Sequence, residues 1–250
     1  GIVRSPSNFG KMGDRPTHPE LLDWLSTELI ANNWSIKHLH RLMMNSQAYQ
    51  MASDDSDANR KLDPDNKLLW RMPRRRLEGE IIRDSILALA GTLDPKIGGP
   101  GVMPYIDPAL FQASSKRTWH GRPVDDPSTN RRSLYVFSKR SIPLPMLDVF
   151  DKPDTITSCA RRNRSTIAPQ ALILMNNEFV QLQAKQFAKR LSREASTPEA
   201  KAARGYQLAF GRAPSARESQ RAIEFIGASP DGLTDFCHAL FNVNEFVYVP

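Results

Sequence analysis

Residues 157–179 read "TSCARRNRSTIAPQALILMNNEF", and this stretch joins a basic loop to the start of a long apolar pattern. Pro169 suits the first turn of a helix, because the N–H group that proline lacks would have no helical partner there. Apolar residues then recur at helical spacing as far as Arg193. The pattern predicts one helix from about Pro169 to Arg193 that buries Leu172, Met175, Phe179, Leu182 and Leu191.

Three more helices are predicted before this stretch. Thr17 and Glu20 have capping-box spacing, ahead of an apolar face made of Leu21, Leu22, Trp24, Leu25 and Leu29. Ser35 is predicted to cap a second helix, whose inward-facing residues are Ile36, Leu39, Leu42, Met43 and Tyr49. The segment "RRRLEGEIIRDSILALAG" predicts a third helix that ends at Gly91.

Turn residues dominate residues 92–130, which we predict to be a long loop. The alternation in "RRSLYVFSKR", residues 131–140, predicts a short strand. A helix is expected from Thr197 to about Gly211, a capping box at Ser215 and Glu218, and a last helix over 233–243. That last helix is predicted to bury Leu233, Phe236, Cys237, Leu240 and Phe241.

The predicted fold class is mainly α, an irregular multi-helix domain with a long central loop and minor β. We interpret residues 1–250 as one domain and as a fragment of a longer chain. It consists of N-terminal helices over 1–91, the loop over 92–130, and a short strand with C-terminal helices over 131–250.

Composition describes a globular protein, with 40% hydrophobic and 24% charged residues. No apolar run reaches the length of about 18 residues that a membrane span needs, so no span is expected. The net charge of +7 is concentrated in residues 60–76 and 116–164. Such basic patches either attract polyanions or form an ordinary solvated face. No nucleic-acid motif is present, and we do not expect nucleic acid as a partner.

The basic loop is the best candidate for a binding site. Arg161, Arg162 and Arg164 could hold a carboxylate or sulfate, and Thr166 could cap a helix whose N-terminal N–H groups face the same anion. Cys159 beside these arginines would have a lowered pKa, which makes it a candidate reactive thiol.

A purely structural interpretation competes with this one. Asp148, Asp151 and Asp154 lie just upstream and could pair with the three arginines, with Cys159 as a small buried side chain. Cys159 and Cys237 could form a disulfide or remain two thiols, and composition does not decide between these. A deep pocket shared by Cys159, the arginines and the 92–130 loop would favour an enzyme, whereas a filled corner would favour a structural module.

Motifs for other chemistry are missing from the sequence. There is no G-x-S-x-G, no phosphate-binding glycine loop ending in Lys-Ser or Lys-Thr, and no cluster of histidines, so we predict no metal site. The pair Cys237-His238 lacks the first cysteine of a C-x-x-C-H haem motif, because Thr234 stands in its place. We expect no cofactor in this chain.

Six blocks resemble one family in their order: "THPELLDWL", "RRRLEGEIIRDSILALAGTLDPKIGGPGV", "RRSLYVFSKRSIPLPMLDVFDKPD", "SCARRNRSTIAPQALILMNNEFV", "AFGRAPSARE" and "FCHALFNVNEFVYV". The chain resembles the planctomycete-type domain of unknown function number fifteen-fifty-three, with the start of that domain missing. The resemblance implies a large exported protein that carries a cytochrome-c-like haem domain and a companion domain ahead of this one.

The resemblance therefore implies an extracytoplasmic location, periplasmic or at the cell surface, with haem in a separate domain of the parent protein. The expected function is that of an uncharacterised helical module that binds an anionic glycan or a partner domain of the parent chain. The alternative is an extracytoplasmic enzyme that acts on polysaccharide or another extracellular substrate. The sequence leaves open whether the chain is an enzyme.

Overall fold

The computed structural model describes residues 2–108 and 119–249, and the regular structure of these residues is almost entirely helical. Eleven α-helices and one two-stranded sheet occur among them, which confirms the predicted mainly α class with minor β. The chain divides into two compact units, Gly1–Arg75 and Arg76–Val249. The interpretation of residues 1–250 as one domain stays a prediction, because two compact units can belong to a single domain.

The first unit contains three helices: α1 Pro19–Ala31, α2 Ile36–Met44 and α3 Asp57–Leu62. Ser35 caps α2 by accepting a hydrogen bond from the N–H of His38, as predicted. The predicted capping box at Thr17 is wrong. His18 is the N-cap residue of α1, and the Thr17 hydroxyl bonds to the Ile2 carbonyl at 3.2 Å instead.

None of these three helices contains a buried residue. Several side chains that we predicted to face inward are instead exposed, namely Leu21, Trp24, Ile36, Met43 and Tyr49. The rest of the predicted face is half-buried, because α1 and α2 pack on each other: these residues are Leu22, Leu25 and Leu29 of α1 and Leu39 and Leu42 of α2. Periodicity identifies such a face without identifying what packs on it.

The second unit holds the other eight helices. They are α4 Gly79–Ala90, α5 Pro145–Val149, α6 Ala168–Asn176, α7 Glu178–Glu194, α8 Pro198–Phe210, α9 Ala216–Gly227, α10 Gly232–Asn242 and α11 Asn244–Val247. The strand β1, Arg75–Arg76, pairs with β2, Tyr248–Val249.

The core of the second unit forms where α7 packs on α4 and α10. Phe187 of α7 stacks on Phe241 of α10 with ring centroids 5.9 Å apart, and both rings are fully buried. Ile82 and Ile86 of α4 join the same cluster. Of the five residues predicted to be buried in the last helix, Phe236, Cys237, Leu240 and Phe241 are confirmed, and Leu233 is half-buried.

The predicted helix from Pro169 to Arg193 is two helices, because the chain breaks at Asn177. Asn177 has an extended backbone, and its side chain accepts a hydrogen bond from the N–H of Phe179 at 3.0 Å. The break shifts the helical register. Leu172 and Met175, which precede the break, are about half exposed, Phe179 and Leu182 are half-buried, and Leu191 is buried as predicted.

The predicted strand at 131–140 is wrong. Residues 133–135 form a 3₁₀ turn, and Val136 makes only an isolated bridge to Val102. The backbone turns here because the Ser133 N–H donates to the Asp84 carboxylate at 2.7 Å. The described parts of the 92–130 loop are irregular apart from a 3₁₀ turn at 127–129, and residues 109–118 lie outside the described residues.

Three helix ends that were predicted from local capping residues are confirmed. Gly91 and Gly211 end α4 and α8 with left-handed φ of 73° and 72°. The capping box of Ser215 and Glu218 is present at the start of α9. Arg212 joins that box with two bonds to the Glu218 carboxylate, at 2.8 and 2.9 Å.

We predict that Glu218 makes stability depend on pH in acid. The Arg212 bonds, followed by those from Ser215, lower the pKa of Glu218 from 4.5 to about 2. A depressed folded pKa means that the stabilisation is complete above pH 4.5 and is lost as the pH falls towards 2. Glu218→Gln should therefore flatten the fall in melting temperature over this window. Glu224→Gln on the same helix is the control, and equal acid sensitivity of Glu218→Gln and the wild type would contradict the prediction.

Candidate functional site

The basic loop folds back on the second unit as a bonded corner, which we call the basic corner (residues 151–166). The Asp151 carboxylate accepts bonds from the Arg76 guanidinium and from the Ser165 N–H and hydroxyl, at 2.8 and 2.9 Å for Ser165. Arg76 also donates to the Ser165 carbonyl at 3.1 Å and lies over the Phe150 ring at 5.2 Å. Both side chains of this ion pair are largely buried.

Electrostatics favours the ionised form of Asp151. Desolvation acts to raise the pKa of this carboxyl group, but the bonds from Ser165 and the charge of Arg76 lower it overall. The backbone of Asp151 has a φ of 62°, a left-handed conformation that aspartate tolerates better than most residues. The corner is therefore held by a paired and fully hydrogen-bonded carboxylate.

Arg162 also has partners within the protein. Its guanidinium donates two bonds to the Glu80 carboxylate, at 2.8 and 3.1 Å, and lies 3.1 Å from Glu78. The bond to Glu80 raises the pKa of Arg162. Much of the positive charge of Arg162 is thus already offset at the start of α4.

Thr166 does not cap α6, so this part of the prediction is wrong. Ile167 is the N-cap residue of α6 and makes no side-chain cap, while the Thr166 hydroxyl bonds to the Tyr248 hydroxyl at 3.1 Å. Cys159 is exposed rather than buried, and its thiol lies 3.2 Å from the Arg161 carbonyl. Cys159 and Cys237 are both free thiols, so they do not form a disulfide.

The aspartates of this region have other partners than the structural interpretation assumed. Asp151 binds Arg76, and Asp154 accepts bonds from the N–H groups of Ile156 and Thr157. Anion binding by Arg161, Arg162, Arg164 and Thr166 stays a prediction. Arg161 is exposed and enters none of the ion pairs found among the described residues.

The two neighbouring arginines should differ in their effect on stability. Arg162→Ala should lower the free energy of unfolding by about 1–2 kcal/mol, because it removes a two-bond contact to a partly buried glutamate. Arg161→Ala, at an exposed position, should change it by less than about 0.5 kcal/mol. Urea denaturation of both variants measures the difference, and equal losses would show that the contact to Glu80 does not stabilise the corner.

A separate cleft of about 400 Å³ opens at the break between α6 and α7. One wall is Asn176–Phe179, and the other comes from the long loop through Tyr105–Asp107 and Thr129. Leu144 and Met146 add apolar surface. Sequence reasoning missed this site, although the interruption of an apolar helix pattern by Asn-Asn-Glu was its signal.

Arg83 connects the two walls of the cleft. Its side chain is buried and donates to the carbonyls of Thr129 and Arg131, at 2.8 and 2.9 Å, and to the Ser133 hydroxyl at 3.2 Å. The guanidinium also lies over the Phe179 ring at 5.3 Å. Burial lowers the pKa of Arg83 to about 10, so the group remains charged at neutral pH.

The described residues hold no group of three or more His, Cys, Asp or Glu side chains placed to bind a metal ion. Among the helices of residues 2–108 and 119–249, none is both long enough and apolar enough to cross a membrane.

Comparison with known proteins gives a family and no activity. The family model described as PSD1, protein of unknown function (DUF1553), matches residues 1–226. No curated protein and no solved structure matches the chain.

Proposed function

We propose, for this member of the PSD1 family of proteins of unknown function, DUF1553, a role as a helical module. The module docks another domain of a longer, exported protein. The observation that carries the proposal is the apolar surface of the first unit. A docking module needs such a surface, whereas an enzyme needs a site that brings reactive groups together.

The first unit exposes large apolar side chains on α1, on α2 and in the turn between them. They include Trp24 at 48% exposed, Trp34 at 69% and Ile36 at 63%. Helices with an apolar face are normally stabilised by packing that face against another element, and these helices contain no buried residue. An apolar surface of this kind is typical of a protein–protein interface.

The companion domain implied by the family resemblance is the occupant we propose for this surface. The basic corner supports a module over an enzyme, because its central groups are bound to one another. The 400 Å³ cleft is lined by neither Cys159 nor the arginines of the basic corner.

The docking proposal predicts that apolar-to-polar changes in the first unit weaken association. Trp24→Ser and Ile36→Ser should each raise the Kd for the separately produced remainder of the parent protein at least tenfold, because each removes a large apolar contact. Leu134→Ser is the control, since it changes a large apolar side chain of the second unit that is also exposed. Calorimetric titration that finds no association, or equal weakening by all three changes, would disprove the proposal.

The export of the parent protein and its link to cytochrome c are part of the proposal and rest on the family resemblance. Under this proposal, haem is bound by a separate domain of the parent protein, and the module lies on the extracytoplasmic side of the membrane. Cell fractionation with haem staining of the full-length protein tests both points. A haem-free protein recovered only from the cytoplasm would contradict them.

A second candidate function is the binding of an anionic glycan at the basic corner, and the exposed Arg161 favours it. A sulfated disaccharide should then bind weakly, and less tightly as salt is added. Arg161→Ala should abolish this binding while leaving the melting temperature unchanged. Binding that survives this change would remove the candidate.

A further inference from the structure

We propose that the cleft at the break between α6 and α7 binds a neutral, hydroxyl-rich ring compound, that is, a saccharide. This site is separate from the apolar surface of the first unit and from the basic corner. The proposal stands on the shape of the cleft, on the arrangement of its polar and apolar groups, and on the way its walls are fixed.

The size and lining of the cleft suit a small ligand. Its volume of about 400 Å³ lies within the range of known small-molecule sites, about 300–1,000 Å³. Ile106, Leu144, Met146 and Ile173 give it an apolar surface. A sugar ring presents one face of C–H groups, which can pack on such a surface.

Polar groups lie on both walls of the same cleft. Asn176, Asn177 and Glu178 follow one another at the helix break, and Tyr105 lies on the opposite wall. Amide, carboxylate and phenol groups together both donate and accept hydrogen bonds, as sugar hydroxyls require. Desolvation raises the pKa of Tyr105, and the charges of Glu178 and Asp107 add to the rise, so the phenol stays protonated as a donor.

Charge selects a neutral ligand over an anionic one. Arg83, the cation among the described residues that line the cleft, already donates to three acceptors of the protein and lies 3.7 Å from Asp84. Glu178 is exposed and places a negative charge at the cleft. An anionic ligand would meet this carboxylate without gaining a free positive partner from Arg83.

The helix break interrupts an apolar pattern with polar residues. Three polar residues lie together between α6 and α7, where the apolar pattern alone predicts one helix. Positions at which the local sequence pattern and the fold disagree in this way are often functional sites. Arg83 holds the far wall at residues 129–133 and contacts Phe179 on the near wall. The cleft is therefore preorganised on both sides.

The test is a nuclear magnetic resonance titration of the chain with methyl glucoside, methyl galactoside, methyl mannoside and their β-linked disaccharides, with glucuronate as the anionic counterpart. We expect at least one neutral sugar to shift the amide signals of 104–107 and 176–179, and glucuronate to bind more weakly. Asn176→Ala should weaken that binding about fivefold to tenfold, the usual effect of losing a hydrogen bond. Gln181→Ala, a nearby exposed amide outside the cleft, should leave it unchanged.

Glu178→Gln separates charge from hydrogen bonding, because it keeps a polar side chain of the same shape. It should raise glucuronate affinity towards that of the neutral sugar. The proposal is overturned if no neutral sugar shifts these amides, if glucuronate binds the wild type more tightly, or if Asn176→Ala and Gln181→Ala have the same effect. Unchanged signals elsewhere in each variant show that it remains folded.

Discussion

Arg83→Met is expected to lower the free energy of unfolding by about 3–5 kcal/mol. Methionine fills much of the same space but donates no hydrogen bond. The carbonyls of Thr129 and Arg131 and the Ser133 hydroxyl would then lose their partner in a buried region. Each buried acceptor left without a partner costs about 1–3 kcal/mol, and some relaxation keeps the total below the sum.

Arg132→Ala is the matched control for this prediction. Arg132 lies within the same segment, and its side chain is exposed, so its replacement should cost less than about 0.5 kcal/mol. Urea denaturation of both variants gives the two free energies. A loss below about 1 kcal/mol for Arg83→Met would show that the buried arginine does not hold the 129–133 segment.

Asp151→Ala should also destabilise the protein by about 3–5 kcal/mol, because it leaves the buried Arg76 guanidinium without its charged partner. The change also removes the acceptor for the Ser165 N–H and hydroxyl. Alanine is further disfavoured at this position by the left-handed backbone.

The control is Asp148→Ala at an exposed position of α5, which should cost less than about 1 kcal/mol. The double variant Arg76→Met with Asp151→Leu should be more stable than Asp151→Ala, since it removes the unpaired charge as well. Thermal and urea unfolding measure all three. A double variant less stable than Asp151→Ala would show that backbone geometry at 151, and not the unpaired charge, dominates the loss.

The structure explains why helix ends were easier to predict than helix faces. Ser35, Gly91, Gly211 and the Ser215–Glu218 box act on backbone groups within four residues, so the sequence contains the whole interaction. Thr166 is one exception, because its hydroxyl bonds to Tyr248 and does not cap α6. Thr17 is another. Its hydroxyl binds Ile2, which is fifteen residues away.

Burial depends on partners that periodicity does not identify. The face of α1 and α2 was recognised as apolar, yet Trp24 and Ile36 on it are exposed, whereas Leu25 and Leu39 are half-buried. The single helix predicted from Pro169 to Arg193 is two helices, because the Asn177 side chain accepts a local bond where the first helix ends. The two residues of this pattern that are exposed, Leu172 and Met175, lie before the break, and Leu191 after it is buried as predicted.

The basic corner was the hardest region to predict. Its bonds join Arg76 to Asp151 and Arg162 to Glu80, residues 75 and 82 positions apart. Nearby opposite charges in the sequence suggested the aspartates as partners of the arginines, but the fold brings α4 and its preceding segment to the corner instead. The cleft was missed for the same reason, since its two walls are distant in the chain.

Hydrogen exchange of the longer protein that we propose, compared with this chain alone, tests the proposed docking of the first unit most directly. The account predicts that amides of α1 and α2 exchange much more slowly in the full-length protein, because their apolar faces are then covered. Amides of α7 and α10 in the buried core should be protected in both. Equal exchange of α1 and α2 in the two proteins would contradict the account.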